Sequence, residues 1–340
     1  MHNPVRILSN FEGLSHTARA AGSSIFEYTG SDGAIRFLAR CLHSDLVIIN
    51  IDTKKLLLSC ALKWIMPFLR FRIVSVDLIL RTPRSFRARV LARIKRALFK
   101  KVSRFILYFK NVEGCDRFYG IDAERVVYVP FKVNSWEKLE HETPPTNEGE
   151  YVLCAGRSLR DVKTFVEAMR EVTCPGILLQ QNSELLSGNG TESWSGELPA
   201  NLRLVIDEGN QQETFIRYLS NARMVVIPRF KHDIAASGIS TYLLAMALNR
   251  CVIISEGPGA NDVLTDEAVI VPPEDPEMLA AQINLLWNDT AARVALATRG
   301  REYAARAAGE ARLFRDILRS SLDYFGEGKP SSEALANSRA

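Results

Sequence analysis

At 340 residues, almost half of them apolar, the chain is long enough for two domains with sizeable cores and has the composition of an α/β protein. Six cysteines, at positions 41, 60, 115, 154, 174 and 251, form no CxxC pair and no Cys/His ligand spacing, which excludes a disulfide scaffold and points to reduced core thiols in a reducing cytoplasm. The N-terminus lacks a signal-peptide pattern and no apolar run spans a bilayer, so a cytoplasmic location is expected; the formal net charge of +4 is modest, but its distribution is uneven.

The first half alternates strand and helix. Residues 5–9 predict a strand, followed by a glycine-bearing loop with His16 and then a run of small residues, the pattern of the first βα turn of a Rossmann-like domain. Strands are predicted at 25–28, 46–50, 72–77, 104–108 and 125–130, with helices such as 32–42 and 111–119 between them. Such alternation implies a parallel sheet covered by helices on both faces. Asp77 then stands at the C-terminal end of a strand, where open α/β sheets place ligands.

Between Leu78 and Val112 there is no acid and there are eleven basic residues. Val90, Leu91, Ile94, Leu98, Phe99 and Val102 interleave with them at helical spacing, predicting a basic amphipathic helix whose apolar stripe serves the core. Two readings stand for residues 81–104: a solvated cationic face, or a peripheral docking surface for anionic lipid at the inner face of the membrane. Nucleic acid is the poorer explanation, because the aromatic residues form no stacking platform and the chain carries no binding motif.

Residues 141–150 are polar and proline-rich and read as a linker, which divides the chain into a first domain of residues 1–140 and a second of 151–325. The second opens with a strand at 151–155, then Gly156, Arg157, Arg160 and a helix at 162–172 that carries Lys163. Strands are predicted at 177–181 and 202–205, flanking a Ser/Gly/Glu-rich loop expected to be mobile, and a helix at 215–219. The stretch 224–273 reads strand, loop, helix, strand, glycine turn. Small residues open its helix, so the free backbone N–H groups of Gly238, Ile239 and Ser240 can be aimed at an anion such as a diphosphate. Gly257 and Gly259 bracket a tight turn before Asn261 and Asp262, which offer caps for a further short helix. One alanine- and arginine-rich helix is expected over 291–325, and a disordered tail over 326–340.

The stretch 224–273 resembles the nucleotide-sugar half of the group 1 glycosyltransferases. The matching residues are Val226-Ile227-Pro228, Gly238, Ala245 to Leu248, Val252-Ile253, Gly257 to Gly259, and Val271 to Pro273 with Asp275-Pro276 and Leu279. The resemblance implies a GT-B fold, two Rossmann-like domains with parallel sheets facing across a cleft, the C-terminal helix bracing the first domain. It implies a nucleotide-sugar donor, retention of configuration, and a glycan or lipid-linked acceptor.

In the family a glycine-arginine followed by a lysine holds the donor diphosphate. Arg157 matches the arginine, Arg160 stands best in the lysine's place, and Lys163 is the alternative. Fixed cations suit this task because charge develops on the diphosphate as the glycosidic bond breaks. Asp77 and His16 fall on the acceptor side as base or sugar ligand. Two family glutamates are missing: Leu244 stands where one normally holds the ribose hydroxyls, and Glu256, Asp262 and Asp233 are the acids near enough to replace it. Without a paired-aspartate motif or a histidine cluster, no cofactor and no metal are expected. The alternative is a catalytically silent GT-B protein serving as a binding or scaffold subunit, or an enzyme of another nucleotide or sugar-phosphate class on the same fold.

Overall fold

The computed structural model describes residues 4–20, 22–142, 149–156, 158–181, 191, 193–208, 212–231 and 234–323. Arg157, Asp233, residues 182–190 and 192 of the Ser/Gly/Glu-rich loop, and the tail 326–340 lie outside the described residues, as do 143–148 within the expected linker. The chain folds as two compact units. The first holds Met1–Tyr108, Val112–Val129 and Ala311–Ala340; the second holds Phe109–Asn111 and Pro130–Glu310.

In the first unit six parallel strands run in the order β2-β1-β3-β4-β5-β6: β1 (Arg6–Ser9), β2 (Ser24–Glu27), β3 (Leu46–Asn50), β4 (Arg72–Val76), β5 (Arg104–Leu107) and β6 (Val126–Tyr128). β3 and β4 are apolar runs without alternation because helices cover both faces of a parallel sheet; Val47, Ile48, Ile73 and Val74 are buried. The order reverses between β1 and β3. There Asn10 on the β1 loop donates to the Asn50 carbonyl at 2.8 Å and accepts from the Asn50 N–H at 2.8 Å, tying the two strand ends together.

The second unit has the order β12-β11-β10-β7-β8-β9, also wholly parallel: β7 (Tyr151–Ala155), β8 (Gly176–Gln181), β9 (Leu202–Asp207), β10 (Ala222–Ile227), β11 (Cys251–Ser255) and β12 (Val269–Val271). This is a doubly wound sheet reversing between β7 and β10, and such reversals leave a crevice at the carboxyl ends of the strands. Phe165 and Met169 of the Val162–Arg170 helix and Leu279 and Ile283 of the Pro276–Asn288 helix pack on one core with Val152, Cys154 and Val226.

Three expectations are corrected. The helix over 291–325 is two, Thr290–Ala307 and Glu310–Leu322, because Ala308 takes φ +51° and so leaves the right-handed helix just before Gly309. From Ala311 the second of these belongs to the first unit, where Phe314 meets Phe11 edge-on at 5.7 Å and Arg104 donates to the Ser320 carbonyl. Asn261 and Asp262 cap no helix; they sit in a turn and accept from the N–H groups of Gly257 and Gly259, at 2.9 and 2.6 Å. The basic helix forms at Phe86–Phe99, but its core stripe is Ala92 and Phe99, while Val90, Leu91 and Ile94 point to solvent. Small Ala92 lets the helix lie close to its neighbour, and Phe99 fills the space at its end.

All six cysteines are free and buried. Burial pushes the thiols of Cys41, Cys60, Cys115, Cys154 and Cys251 up to about 12, which makes them inert packing groups.

Candidate active site

The second unit's site is built where its sheet reverses. Gly156 follows β7 at φ +128°, a conformation that a side chain resists, and a Cβ there would stand 2.3 Å from the guanidinium of Arg160. Glycine at this position therefore lets Arg160 fold back over the end of the strand. Its Nε donates to the Ala155 carbonyl at 3.2 Å, one terminal nitrogen donates to the Ser158 carbonyl at 2.6 Å, and the other donates to Thr241 Oγ1 at 3.2 Å. Arg160 is buried, and its own N–H donates to Thr191 at 3.0 Å.

Thr241 lies in the first turn of the Ile239–Ala247 helix, whose N-cap is Gly238 at φ +96°. Ile227 leaves no space for a side chain at Gly238, since a Cβ would approach it to 2.8 Å. Ser240 is exposed on this first turn and Ile239 is buried. A guanidinium, a helix N-terminus and a bare backbone thus converge at the switch point between β7 and β10. Each favours an anion, and like charges this close are best tolerated when an anion lies among them. Lys163 is exposed on the following helix and has no part in this cluster.

Sequence reasoning missed Arg229. It follows the proline that closes β10 and is completely buried. Nε donates to Ser237 at 2.9 Å, and the terminal nitrogens donate to the carbonyls of Pro258 at 2.9 Å and Ala235 at 3.0 Å. Arg229 and Arg160 also form an isolated antiparallel bridge, which brings the loops after β7 and β10 together. The available signal was a lone cation at the carboxyl end of a central strand, a position where such a residue faces the ligand crevice.

Among the acids proposed to replace the ribose glutamate, Asp262 is already engaged. Oδ2 accepts from the N–H groups of Lys110 and Asn111, both at 2.7 Å, and Oδ1 accepts from Gly259. Asp262 is therefore a tether for the 109–111 segment. Glu256 is exposed beside the Gly257 turn, and Leu244 is buried, an aliphatic side chain with nothing to offer a diol. Asn249, just past the end of the Ile239–Ala247 helix, stands at φ +57°, a left-handed conformation that asparagine tolerates, so the helix ends as a glycine would end it.

In the first unit, Ile51 and Asp77 end adjacent strands β3 and β4, and both take positive φ, +61° and +49°. Aspartate is among the residue types that tolerate that region, but β-branched Ile51 is strained in it, and strain of this kind clusters at functional sites. Asp77 is partly buried, and desolvation pushes its carboxyl up to about 7. Burial raises the Tyr108 hydroxyl well above its usual value, and the nearby Asp77 charge adds to that rise. His16 is exposed on the Leu14–Ala20 helix of the same unit.

Residues 149–289 match the family described as glycosyl transferases group 1. No curated protein matches the chain by sequence. Among solved structures, HepE from Anabaena in complex with UDP is similar with TM-score 0.66 at 13% identity, covering 95% of this chain and 100% of that one. Sucrose-phosphate synthase from Thermosynechococcus elongatus is similar with TM-score 0.67 at 15% identity, covering 96% and 100%. A glycosyltransferase from Rickettsia africae gives TM-score 0.63 at 14% identity, covering 96% and 100%. HepE has also been solved with UDP-glucose. These likenesses establish the fold, GT-B.

Proposed function

We propose that this chain, which carries a group 1 glycosyltransferase domain on a GT-B fold, transfers a glycosyl group from a uridine diphosphate sugar to a glycan or lipid-linked polysaccharide precursor, with retention. The observation that carries the reading is the buried Arg160 guanidinium held against the first turn of the Ile239–Ala247 helix at the sheet's reversal. UDP is the favoured nucleotide because HepE, alike over nearly the whole chain, holds UDP.

In the transfer, the bond from the sugar's anomeric carbon to the diphosphate oxygen breaks and a bond to the acceptor oxygen forms on the same face. The acceptor's proton passes to the departing phosphate, so the protein needs no nucleophile of its own. Arg157, Arg160 and the N–H groups of Ile239 and Ser240 stabilise the charge that develops on the leaving group. Arg229 fixes the Gly257 turn, whose bare backbone lets the donor approach. With cations and helix N-terminus in these roles, the reaction needs no metal, and chelation leaves its rate unchanged. In the first unit Asp77 orients the acceptor hydroxyl, with His16 as a further sugar ligand.

The test is a thermal-shift titration with UDP, GDP, ADP and CMP on the wild type and on Arg157→Ala. At 100 times the dissociation constant a bound nucleotide adds about 2.7 kcal/mol, so saturable stabilisation by UDP, lost in the variant, is the expected result. The second reading, a silent scaffold subunit, is favoured by the buried, aliphatic Leu244, which stands where the resemblance implies a ribose-binding glutamate. A folded protein that responds to none of the four nucleotides would replace the enzyme with that scaffold.

A further inference from the structure

We infer that the face of the first unit formed by the Thr53–Ile65 and Phe86–Phe99 helices is a docking surface for an anionic lipid bilayer. The inference rests on the proposed membrane-linked acceptor and deepens it, by specifying the elements that enter the interface and their chemistry.

The apolar side of the argument is exposure. Residues 64–68, Trp-Ile-Met-Pro-Phe, are five consecutive exposed positions at the end of the first helix; Trp64 is 65% exposed, Ile65 70% and Phe68 75%. On the neighbouring helix Phe86 is 73% exposed, with Leu91 and Ile94 also open to solvent. Phe86, Val90 and Ile94 follow one another at four-residue spacing and form one outward stripe, separate from the inward stripe of Ala92 and Phe99. The two helices pack side by side, and each carries exposed apolar residues. Scattered apolar residues are ordinary on a protein surface, whereas a contiguous aromatic and aliphatic face is a mark of an interaction site.

The cationic side selects the occupant. From Thr53 to Val112 the sequence holds sixteen Lys and Arg and one acid, Asp77. Arg70, Arg84, Arg87, Arg89 and Arg93 are exposed on this face, and none of them enters an ion pair among the described residues. Lys63, beside the tip, is held below its usual value, first by burial and then by the neighbouring charges of Arg72 and Lys101. Positive charge is therefore crowded here, without an ion-paired acid for these arginines among the described residues. Aromatic and aliphatic side chains flanked by unpaired arginines match a bilayer whose headgroups are negative and whose interior is apolar. No helix among the described residues is long and apolar enough to cross a membrane, so the contact is peripheral.

Flotation of the full chain with phosphatidylcholine vesicles, with and without phosphatidylglycerol, tests this at low and at high salt. The expected result is binding to the anionic vesicles alone, weakened by salt. Arg87→Gln/Arg89→Gln/Arg93→Gln should lower the partition roughly 100-fold, since each cation near the surface contributes about fivefold. Trp64→Ser/Phe68→Ser should lower it about tenfold or more by removing the insertion. Unchanged binding in both variants overturns the inference, and so does equal binding to neutral and anionic vesicles or none to either. Self-association in sedimentation that Trp64→Ser/Phe68→Ser abolishes, with no vesicle binding, overturns it in favour of a contact between copies of the chain. The wild-type arms need no variant to fold. The assay contains no donor or acceptor, so it fails independently of the glycosyltransferase reading.

Discussion

Arg229 occupies the space that a side chain at Gly257 would need: a Cβ there would stand 3.0 Å from both of its terminal nitrogens. The guanidinium cannot retreat, because Ser237, Ala235 and Pro258 each accept from it. The loops after β10 and β11 are thus joined through one side chain, and both line the carboxyl edge of the sheet. Gly257→Ala meets this wall and must also adopt φ near +142°, a region almost closed to alanine. It should destabilise the protein by about 2–3 kcal/mol in chemical denaturation. Arg229→Lys keeps the charge but loses the planar fork, and should cost at least as much. A Gly257→Ala protein as stable as the wild type would show that the turn yields without Arg229.

Much of this was legible in the sequence, and the exceptions share a cause. The strands appear where short apolar runs stop at proline or polar residues, since a parallel sheet buried on both faces demands such runs. Arg160 stood out because a glycine and a helix start flank it. Arg229 did not, because a single cation after a strand resembles a surface residue until two distant loops close over it. The Phe86–Phe99 helix shows the same limit in reverse. Its charge and period were plain, but its sequence contains two apolar stripes, and only packing selects the one of Ala92 and Phe99 for the core. Ala308 itself gave no sign of the helix break, because alanine is the strongest helix former; the signal was its neighbour Gly309, a residue that commonly ends helices.

The Arg160 cluster makes a separable claim about binding and stability. Arg160→Lys retains one cation but cannot donate at once to Ala155, Ser158 and Thr241. Nucleotide affinity by calorimetry should fall roughly 10–100-fold, an amount typical of losing a charge-assisted fork. Unchanged affinity together with a lower melting temperature would make Arg160 a brace for the strand ends and nothing more.

Asn249 tests the helix end beneath the site. Its φ of +57° costs an ordinary L-residue about 1–2 kcal/mol, whereas asparagine bears it and glycine is indifferent. Asn249→Ala should therefore lose about 1 kcal/mol of stability, and Asn249→Gly should stay within about 0.5 kcal/mol of the wild type. Equal loss in both variants would assign Asn249's contribution to its side-chain contacts and not to its backbone.

Asp77 ties stability to pH through its displaced carboxyl. Its folded value of about 7 lies above the ordinary 3.8, so between these values the folded chain holds a proton that the unfolded chain has released. Stability therefore falls as pH rises from about 4 to about 7 and then levels. Three units correspond to at most about 4 kcal/mol. Asp77→Asn removes the titration: it should match the wild type near pH 4 and exceed it in stability above pH 7, by urea denaturation across that range. If the ionised carboxylate orients the acceptor hydroxyl, the same variant should lose transfer activity most at the pH where it gains most stability. A wild type whose stability does not decline over this window, relative to Asp77→Asn, would mean that the carboxyl titrates normally and that the end of β4 does not hold a proton near neutrality.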